Sequence, residues 1–594
     1  MLPFLQRLKQ RKIVQWAIGY FAVAWVMLEV FDMIAEQFLW PVWIRQASTV
    51  LVLIGGLVTI VLAWYHGDRG RQKVGAVELG IVIAILALGG QGIWLLKDRN
   101  DRLESELNGQ TFQFRMEPLP EHSVAVLPCA NLSPEDSQGY FADGLAAELI
   151  TRLAAVSGLR IPSHTSSFAF RGKNVTLEAV AAALKVRHVL ECDVFGDESH
   201  LRIGARLIDA KTGYTLWSES FNRTRAMMLE VQNEVAMAVV RNLEIRLIDR
   251  ERLLVGRRWT QSPEAYDEFL KGIELQLGIP DEKRLVVSLQ HLERAVELDP
   301  SFGRAYARIA MHWLIMGNWG FAPATEANAE VDRLARRAIE LDGDLFEAHW
   351  LIGWTNLVRY QWKDASARFQ KAIELAPGNW EGYHSLGFVQ GTLGQYNEAM
   401  TAAQIATDLD PLSYWPRRGI EILYVRQRQW EDAVSVALEI GTRHGWEPFT
   451  RAWLANLQIR AGQIEAGRAS LAEVDRANLT DGNARLAIAM AYGLLGDLDK
   501  GQAIADSVKN EYIRGQDLVL PGTLAIAYAC LRDRDEAIGL LLVARENEDV
   551  ELLFLDNPCF DDLRTDQRFI NLVRGMNLPE SIYLMPADTT GSST

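Results

Sequence analysis

The sequence predicts a multidomain protein with three transmembrane helices, a small α/β sandwich and an all-α superhelix of repeated helical pairs. Three apolar runs open the 594-residue chain, a mixed pattern of strands and helices follows, and the remainder repeats every 34 residues. At roughly 100 to 200 residues per domain, this length allows about three to five folding units. We place the membrane region at 1–97, a linker at 98–120, the α/β domain at 121–225, a connecting helix at 226–260, the repeat array with its terminal cap at 261–580, and a disordered tail at 581–594.

The first hundred residues predict a membrane region. The runs 13–31, 47–65 and 77–96 each approach the roughly 20 residues that an α-helix needs to cross a bilayer. Lysines and arginines are concentrated before the first run and between the second and third, which by the positive-inside rule puts the N-terminus in the cytoplasm. With three spans, the rest of the chain would lie on the other side. The sequence thus predicts a multi-pass inner-membrane protein with its C-terminal region in the periplasm.

The residues after 121 alternate between strand and helix patterns. A short apolar strand within 122–133 precedes a helix in which Leu145, Leu149 and Leu153 recur every four residues. A second helix at 176–186 and a hairpin centred on 196–199 complete the order β-α-β-α-β-β. Such an order is typical of an α/β sandwich.

Two carboxylates in the first of these helices, Asp143 and Glu148, raise the question of an acid/base pair. Five residues of helix turn them about 140° away from each other, so they cannot converge on one substrate atom. We expect Asp143 instead to cap the helix N-terminus, with Gly144 allowing a tight turn into it. The pair therefore does not predict an active site.

Several short pieces of this region carry a family resemblance. Tyr-Phe-Ala-Asp-Gly-Leu at 140–145, Thr-Ser-Ser-Phe at 165–168 and Leu-Ile-Asp-Ala-Lys-Thr-Gly at 207–213 occur in this order after the first strand. They resemble the TolB-like or FlgO-like amino-terminal domain over about 123–223. The resemblance implies a binding or assembly domain without catalytic residues.

The period of the C-terminal half can be counted on small residues. Four positions recur after 34 residues: Ala365, Phe369, Ala372 and Pro377 become Ala399, Ala403, Ala406 and Pro411. A helix-turn-helix period of this length resembles the tetratricopeptide repeat, and we expect about eight units. Ala295 and Ala338 are 43 residues apart, so an insertion of nine interrupts one unit near 317–327.

A repeat array of this kind presents a concave face that holds a peptide or another protein. In the family pattern, the second, fifth and ninth positions of each first helix face inward. Counted from Phe346, Trp380 and Tyr414, these positions supply a predicted partner-binding groove of Trp350, Trp354, His384, Phe388, Trp415 and Arg418. Packing of the rings against neighbouring helices is the open alternative. His349 and His384 lack a partner at metal-ligand spacing, so no metal site is predicted.

Four cysteines complete the candidate residues. Cys129 lies at the end of the first strand and Cys192 lies in a later strand. In a periplasmic domain these two cysteines could form a disulfide, and the alternative is two buried free thiols. Both positions depart from the pattern of the resembled family. Cys530 and Cys559 belong to separate helical units, and we expect them only to pack.

Charge and motifs limit the function. The formal net charge of −15 argues against a nucleic-acid partner. The sequence contains no P-loop, dinucleotide fingerprint, zinc-protease motif or nucleophile elbow, so we expect neither an enzyme nor a cofactor. The favoured function is a membrane-anchored scaffold or adaptor that binds a protein or peptide through its repeats. The alternative is the sensing subunit of a transmembrane signalling system whose output domain is a separate cytoplasmic protein. The oligomeric state stays open.

Overall fold

The computed structural model describes residues 119–584, apart from 134–138, 174, 197–199, 225–226, 277–281, 476–478 and 516–518, and a few residues between 20 and 59. The chain divides into two compact units, Met1–Pro118 and Leu119–Thr594. In the first unit, the Tyr20 hydroxyl donates a hydrogen bond to the Val52 carbonyl oxygen at 2.9 Å.

Among the described residues, no helix combines the length and the apolar character needed to cross a bilayer. The longest helix of 119–584 has 18 residues and carries charged side chains such as Asp332 and Arg336, so it presents a polar face. The fold class with three transmembrane helices is therefore wrong, and so is the multi-pass inner-membrane location with a periplasmic C-terminal region that followed from it. The runs 13–31, 47–65 and 77–96 themselves fall almost entirely outside the described residues.

The second unit begins with a five-stranded sheet and its helices. The elements are β1 (Val124–Val126), β2 (Ala130–Asn131), α1 (Gly139–Ala154), α2 (His164–Phe168), α3 (Leu177–Leu184), β3 (His188–Gly196), β4 (His200–Asp209) and β5 (Thr215–Thr224). β1 and β2 both pair in parallel with β3, at its two ends, and β4 and β5 extend the sheet antiparallel. The second strand of the expected β-α-β-α-β-β order, which would follow the first helix, is reduced to a single bridge between Arg160 and Ser123.

The strand period of two divides the apolar residues of β3 between two layers. Leu190, Cys192 and Val194 belong to the large core that includes α1. Val189 belongs to a smaller cluster on α3, with Val180. The sheet is therefore covered by helices on both faces.

The connection at 226–260 is two helices in place of the single one expected. They are α4 (Met228–Asn242) and α5 (Asp249–Val255). The break contains Glu244, which has a φ of 55°. The Glu251 carboxylate fixes the start of α5 by accepting from the Ile248 N–H at 3.0 Å, and it also accepts from the Ser157 N–H at 2.8 Å.

Eight helical pairs follow in the described part of the array. They are α6 (Pro263–Gln276) with α7 (Glu282–Leu298), α8 (Gly303–Asn318) with α9 (Ala324–Leu341), α10 (Phe346–Val358) with α11 (Trp362–Leu375), α12 (Trp380–Thr392) with α13 (Tyr396–Leu409), α14 (Tyr414–Arg426) with α15 (Trp430–His444), α16 (Pro448–Arg460) with α17 (Ile464–Asp475), α18 (Gly482–Leu495) with α19 (Leu498–Ile513), and α20 (Pro521–Cys530) with α21 (Arg534–Glu546). Longer helices absorb seven residues of the nine-residue insertion, because α8 and α9 have 16 and 18 residues where α10 and α11 have 13 and 14. The other two lie in the loop between α8 and α9, residues 319–323, where the loop 359–361 has three residues.

The chain ends in a C-terminal segment, residues 548–584, which follows the last pair. It consists of two 3₁₀ helices (Val550–Phe554 and Pro558–Leu563), α22 (Gln567–Gly575) and α23 (Glu580–Tyr583). Its apolar side chains, among them Leu552, Phe560 and Phe569, share one core with residues of α20 and α21.

The α/β domain rests on the loops that join successive pairs. Asp410 follows α13, and its carboxylate accepts hydrogen bonds from Ser166 and, at 2.6 Å, from Ser163. The Gly378 N–H donates to the Ala154 carbonyl oxygen at 2.9 Å. Because these contacts involve loops of different pairs, the α/β domain and the first half of the array form one packed body.

Candidate partner-binding surface of the repeat array

The two tryptophans of α10 are packed within the chain. The Trp350 indole N–H donates to the Ser385 hydroxyl of the next pair at 2.8 Å. The ring centroids of Trp350 and Trp354 lie 6.0 Å apart. Both rings also pack against the core that contains the C-terminal segment. Both tryptophans are therefore used in packing within the chain, and Trp350 joins two neighbouring pairs.

Phe388 of α12 contacts the C-terminal segment directly. Its ring meets Phe554 edge to face with centroids 5.6 Å apart, a favourable arrangement for two aromatic rings. The Arg426 guanidinium lies over both rings, 5.4 Å from Phe388 and 5.5 Å from Phe554. Phe388, which the family pattern places on the inner face, is therefore covered by a residue more than 160 positions later.

The C-terminal segment crosses several successive first helices. We call the residues that hold it the segment-binding surface: Arg359, Trp362, Phe388, Thr392, Arg426, Arg428 and Arg460. Its ion pairs are Arg359–Glu548 at 3.1 Å, Arg426–Asp556 at 2.6 Å and Arg428–Asp561 at 2.8 Å. The Trp362 indole N–H donates to the Met576 carbonyl oxygen at 2.9 Å, and the Tyr583 hydroxyl donates to that of Thr392 at 3.0 Å.

Three residues of this surface stand at one repeat position. Thr392, Arg426 and Arg460 are each 34 residues apart and lie at the C-terminal ends of α12, α14 and α16. Since equivalent positions of stacked repeats form a continuous row, these residues can hold one polypeptide along its length. Sequence reasoning considered only positions two, five and nine and missed this row, although its 34-residue spacing was visible.

Two acidic residues of the C-terminal segment lie beside the array, Asp549 buried and Glu551 partly buried. Asp549 accepts hydrogen bonds from the N–H groups of Gly522 and Glu551, at 2.7 and 2.8 Å. Burial raises the pKa of Asp549 to about 6. Burial and the adjacent Asp549 carboxyl raise the pKa of Glu551 to about 7, against the opposing charge of Arg418. The carboxyl groups of Asp549 and Glu551 therefore lose their protons near neutral pH.

His384 and Arg418 are also engaged internally. The His384 ring lies 5.6 Å from the Trp380 ring, and burial lowers the pKa of His384 to about 4. Arg418 forms an ion pair with Glu421 and lies over the Trp453 ring at 4.6 Å. Because Glu421 also accepts from the Trp453 indole N–H at 2.5 Å, these groups form a closed set of contacts.

Trp415 differs from the other predicted groove residues, because 53% of its surface is exposed. Its one described ring contact is with the adjacent Tyr414, at 5.2 Å. The structure thus uses Trp350, Trp354, His384, Phe388 and Arg418 in contacts within the chain and presents Trp415 to solvent. The aromatic partner-binding groove stays a prediction, with Trp415 as its accessible residue.

Asp143 and Glu148 lie in one helix but have separate partners. Asp143 lies inside α1, which begins at Gly139, so it does not cap the helix as expected. It forms an ion pair with Arg171 at 2.6 Å, and burial raises its pKa. Glu148 instead contacts Arg304 of α8. Gly144 provides close packing, because a Cβ atom there would lie 2.9 Å from the Leu270 side chain.

All four cysteines are paired in the structure. Cys129 and Cys192 form a disulfide with Cα atoms 4.6 Å apart. Cys530 and Cys559 form a second one, with Cα atoms 4.7 Å apart. The expectation that this second pair only packs was wrong, because the C-terminal segment returns to α20, which the repeat spacing did not reveal.

The described residues contain no group of three or more His, Cys, Asp or Glu side chains that could hold a metal ion. His349, considered as a ligand in the sequence, has its Nε2 atom 3.0 Å from the Gly343 carbonyl oxygen.

A family model described as "Tetratricopeptide repeat" matches residues 369–401, which run from α11 through α12 into α13. The chain therefore contains tetratricopeptide repeats, and the prediction from the 34-residue period is confirmed. These repeats are modules of protein–protein interaction.

One curated relative is "Putative adenylate cyclase 3" of Rhizobium meliloti (strain 1021). It is 34% identical over 242 residues, which make up 40% of this chain and 41% of the relative. The chain thus matches less than half the length of that protein.

Solved structures with similarity to the chain include other repeat proteins. A tetratricopeptide repeat protein from Parabacteroides merdae ATCC 43184 is 12% identical, with a TM-score of 0.32 and coverage of 42% of this chain and 93% of that one. PilW, a "widely conserved type IV pilus biogenesis factor", is 16% identical, with a TM-score of 0.30 and coverage of 36% and 92%. At these TM-scores the similarities carry no further conclusion.

Proposed function

We propose that the protein is a non-catalytic scaffold that binds a protein or peptide through its tetratricopeptide array. The observation that carries this proposal is the way in which the array holds the C-terminal segment. Thr392, Arg426 and Arg460 line up at one repeat position, and each contacts that segment. A surface that holds one polypeptide along successive repeats has the shape and the hydrogen-bonding groups to hold another.

Trp415 is the residue we assign to the partner. Tryptophan is strongly enriched among residues that dominate binding energy. An exposed ring on α14 lies on the same helix as Arg426, which holds the C-terminal segment. We therefore expect the partner to contact α14 beside the C-terminal segment.

The activity named for the cyclase relative is not assigned to this chain, since the match covers 41% of that protein. We expect no catalysis and no nucleic-acid partner. The TolB-like resemblance over 123–223 would make the α/β domain an assembly element of the scaffold. The alternative function as a sensing subunit depended on transmembrane helices and is not carried further.

Selection of a displayed peptide library on the purified chain tests this function. We expect enriched peptides to bind the native chain and to bind Trp415→Ala at least fivefold more weakly, as measured by fluorescence polarisation. Trp319→Ala is the matched control, because Trp319 is similarly exposed, at 46%, but follows the end of α8. The proposal fails if no peptide is enriched, or if the two variants bind the selected peptides equally well.

A further inference from the structure

The two disulfides have different electrostatic surroundings. At the Cys530–Cys559 pair, an Nη atom of Arg460 lies 2.9 Å from the Cys559 sulfur and 4.0 Å from the Cys530 sulfur. At the other pair, the sulfur of Cys192 lies 3.8 Å from the Leu127 carbonyl oxygen. No arginine or lysine of the described residues donates to either sulfur of the Cys129–Cys192 pair.

Arg460 is a partly buried cation that forms no ion pair with a carboxylate among the described residues. Its guanidinium contacts the two sulfurs and lies 5.5 Å from the Trp430 ring. The nearby Asp561 is held by Arg428 and Arg564. Burial lowers the pKa of Arg460 to about 10, against the opposing charge of Asp561. A charge removed from water is costly unless an opposite charge compensates it.

Reduction of the disulfide would supply that opposite charge. A disulfide sulfur is a neutral, weak acceptor, whereas a thiolate carries a full negative charge and forms a stronger, charge-assisted hydrogen bond. A neighbouring arginine lowers the pKa of a cysteine thiol and favours its thiolate. Stabilisation of the reduced form raises the reduction potential of a dithiol/disulfide pair.

We propose that Cys530 and Cys559 form a redox-active pair, which small dithiols reduce more readily than the Cys129–Cys192 disulfide because Arg460 stabilises the Cys559 thiolate. The exposure of the sulfur atoms to a reducing agent also favours the Cys530–Cys559 pair. The Cys559 side chain is only partly buried, whereas Cys129, Cys192 and Cys530 are 6%, 7% and 7% exposed.

The reaction is a thiol–disulfide exchange with two electrons. A thiolate of the dithiol attacks the Cys559 sulfur, the Cys530–Cys559 bond breaks, and Cys530 leaves with the electron pair. The second thiol of the reagent then attacks the mixed disulfide and releases Cys559. The reagent ends as its own disulfide, and its two protons pass to the cysteines or, where Cys559 remains a thiolate, to solvent.

Reduction would alter how the C-terminal segment is held. Cys559 lies in the second 3₁₀ helix of that segment and Cys530 ends α20. The ion pairs of Arg426 and Arg428 would remain, so the segment would keep its non-covalent contacts with α14 but lose its covalent bond to α20.

The test uses the full chain at pH 7 in buffers with different ratios of reduced to oxidised dithiothreitol. Free thiols are blocked by alkylation, and peptide mass spectrometry then gives the reduced fraction of each pair. We expect the Cys530–Cys559 pair to be reduced at a ratio at least tenfold less reducing than the Cys129–Cys192 pair, a difference of about 30 mV. Equal midpoints, or earlier reduction of Cys129–Cys192, would overturn the proposal.

The role of Arg460 is tested with Arg460→Met and Arg460→Lys. We expect Arg460→Met to lose the tenfold difference and Arg460→Lys to keep part of it, with Cys129–Cys192 unchanged in both. The rate of Cys559 alkylation against pH in the reduced native chain should give a thiol pKa below the ordinary value of about 8.5. This measurement needs no variant. A Cys559 pKa at or above 8.5 would show that Arg460 does not stabilise the thiolate.

Discussion

Arg304 and Glu148 form an ion pair in which neither side chain reaches solvent, although 156 residues separate them in the chain. Glu148 comes from α1 of the α/β domain, and Arg304 lies in the first turn of α8, in the second helical pair. The Arg304 Nε atom also donates to Glu347 of the third pair at 3.0 Å, and the Trp259 ring lies 4.9 Å from the guanidinium. One buried cation therefore holds three parts of the fold together.

Removal of the Glu148 charge should lower the free energy of unfolding. In Glu148→Gln the buried Arg304 keeps only Glu347 as its anion, and loss of one partner of a buried pair costs about 3–5 kcal/mol. We expect a reduction of this order in the free energy of unfolding measured in urea. Glu121→Gln is the control, since Glu121 pairs with Arg187 at 3.2 Å but is 81% exposed. Its effect should stay below about 1 kcal/mol. Equal effects of both changes would contradict a structural role for the buried pair.

The ion pair between Arg426 and Asp556 should decide how firmly the C-terminal segment is held. These side chains are 2% and 7% exposed, so Asp556→Asn leaves a buried arginine without its anion, at a cost of about 3–5 kcal/mol. Hydrogen exchange should therefore become faster across 548–584. Asp535→Asn is the matched control, because the Asp535–Arg568 pair is exposed. Unchanged exchange in the segment of Asp556→Asn would show that the Arg426–Asp556 ion pair does not hold the segment in place.

Two glycines in helices should respond oppositely to alanine. A Cβ atom on Gly353 would lie 2.6 Å from the ring of Phe369, which is fully buried. We expect Gly353→Ala to lower the free energy of unfolding by about 1–3 kcal/mol through overpacking. A Cβ atom on Gly539 of α21 meets nothing within 4 Å. Gly539→Ala should therefore raise that free energy by about 0.5–1 kcal/mol through helix propensity. Thermal or urea unfolding of both variants shows whether each change lowers or raises the free energy of unfolding as expected.

The acidic pair of the C-terminal segment predicts a pH dependence of stability. The pKa values of about 6 for Asp549 and about 7 for Glu551 lie above the ordinary values of 3.8 and 4.5. Between these values the folded chain binds more protons than the unfolded chain, so the stabilising contribution of these groups is lost as the pH rises from about 4 to about 7.

The histidines act in the opposite direction at lower pH. Burial lowers the pKa values of His312 and His384 to about 4, so their contribution to stability rises with pH between about 4 and 6.5. The effect of Asp549 and Glu551 is therefore best measured as the difference in the free energy of unfolding between the native chain and a variant that lacks one of these acids. Glutamine mimics a protonated acid, so Glu551→Gln should match the native chain below about pH 4.5, become progressively more stable than it up to about pH 7, and keep that difference at higher pH. Parallel urea-unfolding profiles of the two proteins from pH 5 to 8 would contradict the prediction.

Local features of the array could be predicted from the sequence. The spacing of Phe346, Trp380 and Tyr414 predicted first helices at 34-residue intervals, and α10, α12 and α14 begin at these residues. Small residues such as Ala365 and Ala399 mark close packing, since both are fully buried. These features depend on contacts between residues within one or two repeats, and the period of the sequence indicates such contacts directly.

Long-range partners could not be predicted in this way. The repeat pattern shows which face of a helix is apolar but not which distant segment covers it. For this reason Cys530 and Cys559 were assigned to separate units, and the contact of Phe388 with Phe554 was missed. The prediction that Asp143 caps its helix was wrong for a local reason, because the helix begins one turn earlier, at Gly139. The membrane prediction relied on average apolarity and was not supported by any described helix.

The return of the chain end to α10, α12, α14 and α16 has a consequence for unfolding. In an open array each pair contacts only its neighbours, so the ends can fray while the centre stays folded. Here Arg359 and Glu548 are 189 residues apart, and Thr392 and Tyr583 are 191 residues apart, yet each pair is in contact. The terminal pair cannot be released without also uncovering the middle of the array. Unfolding should therefore be more cooperative than in an open array, and refolding should be slowed by the long loops that these contacts close.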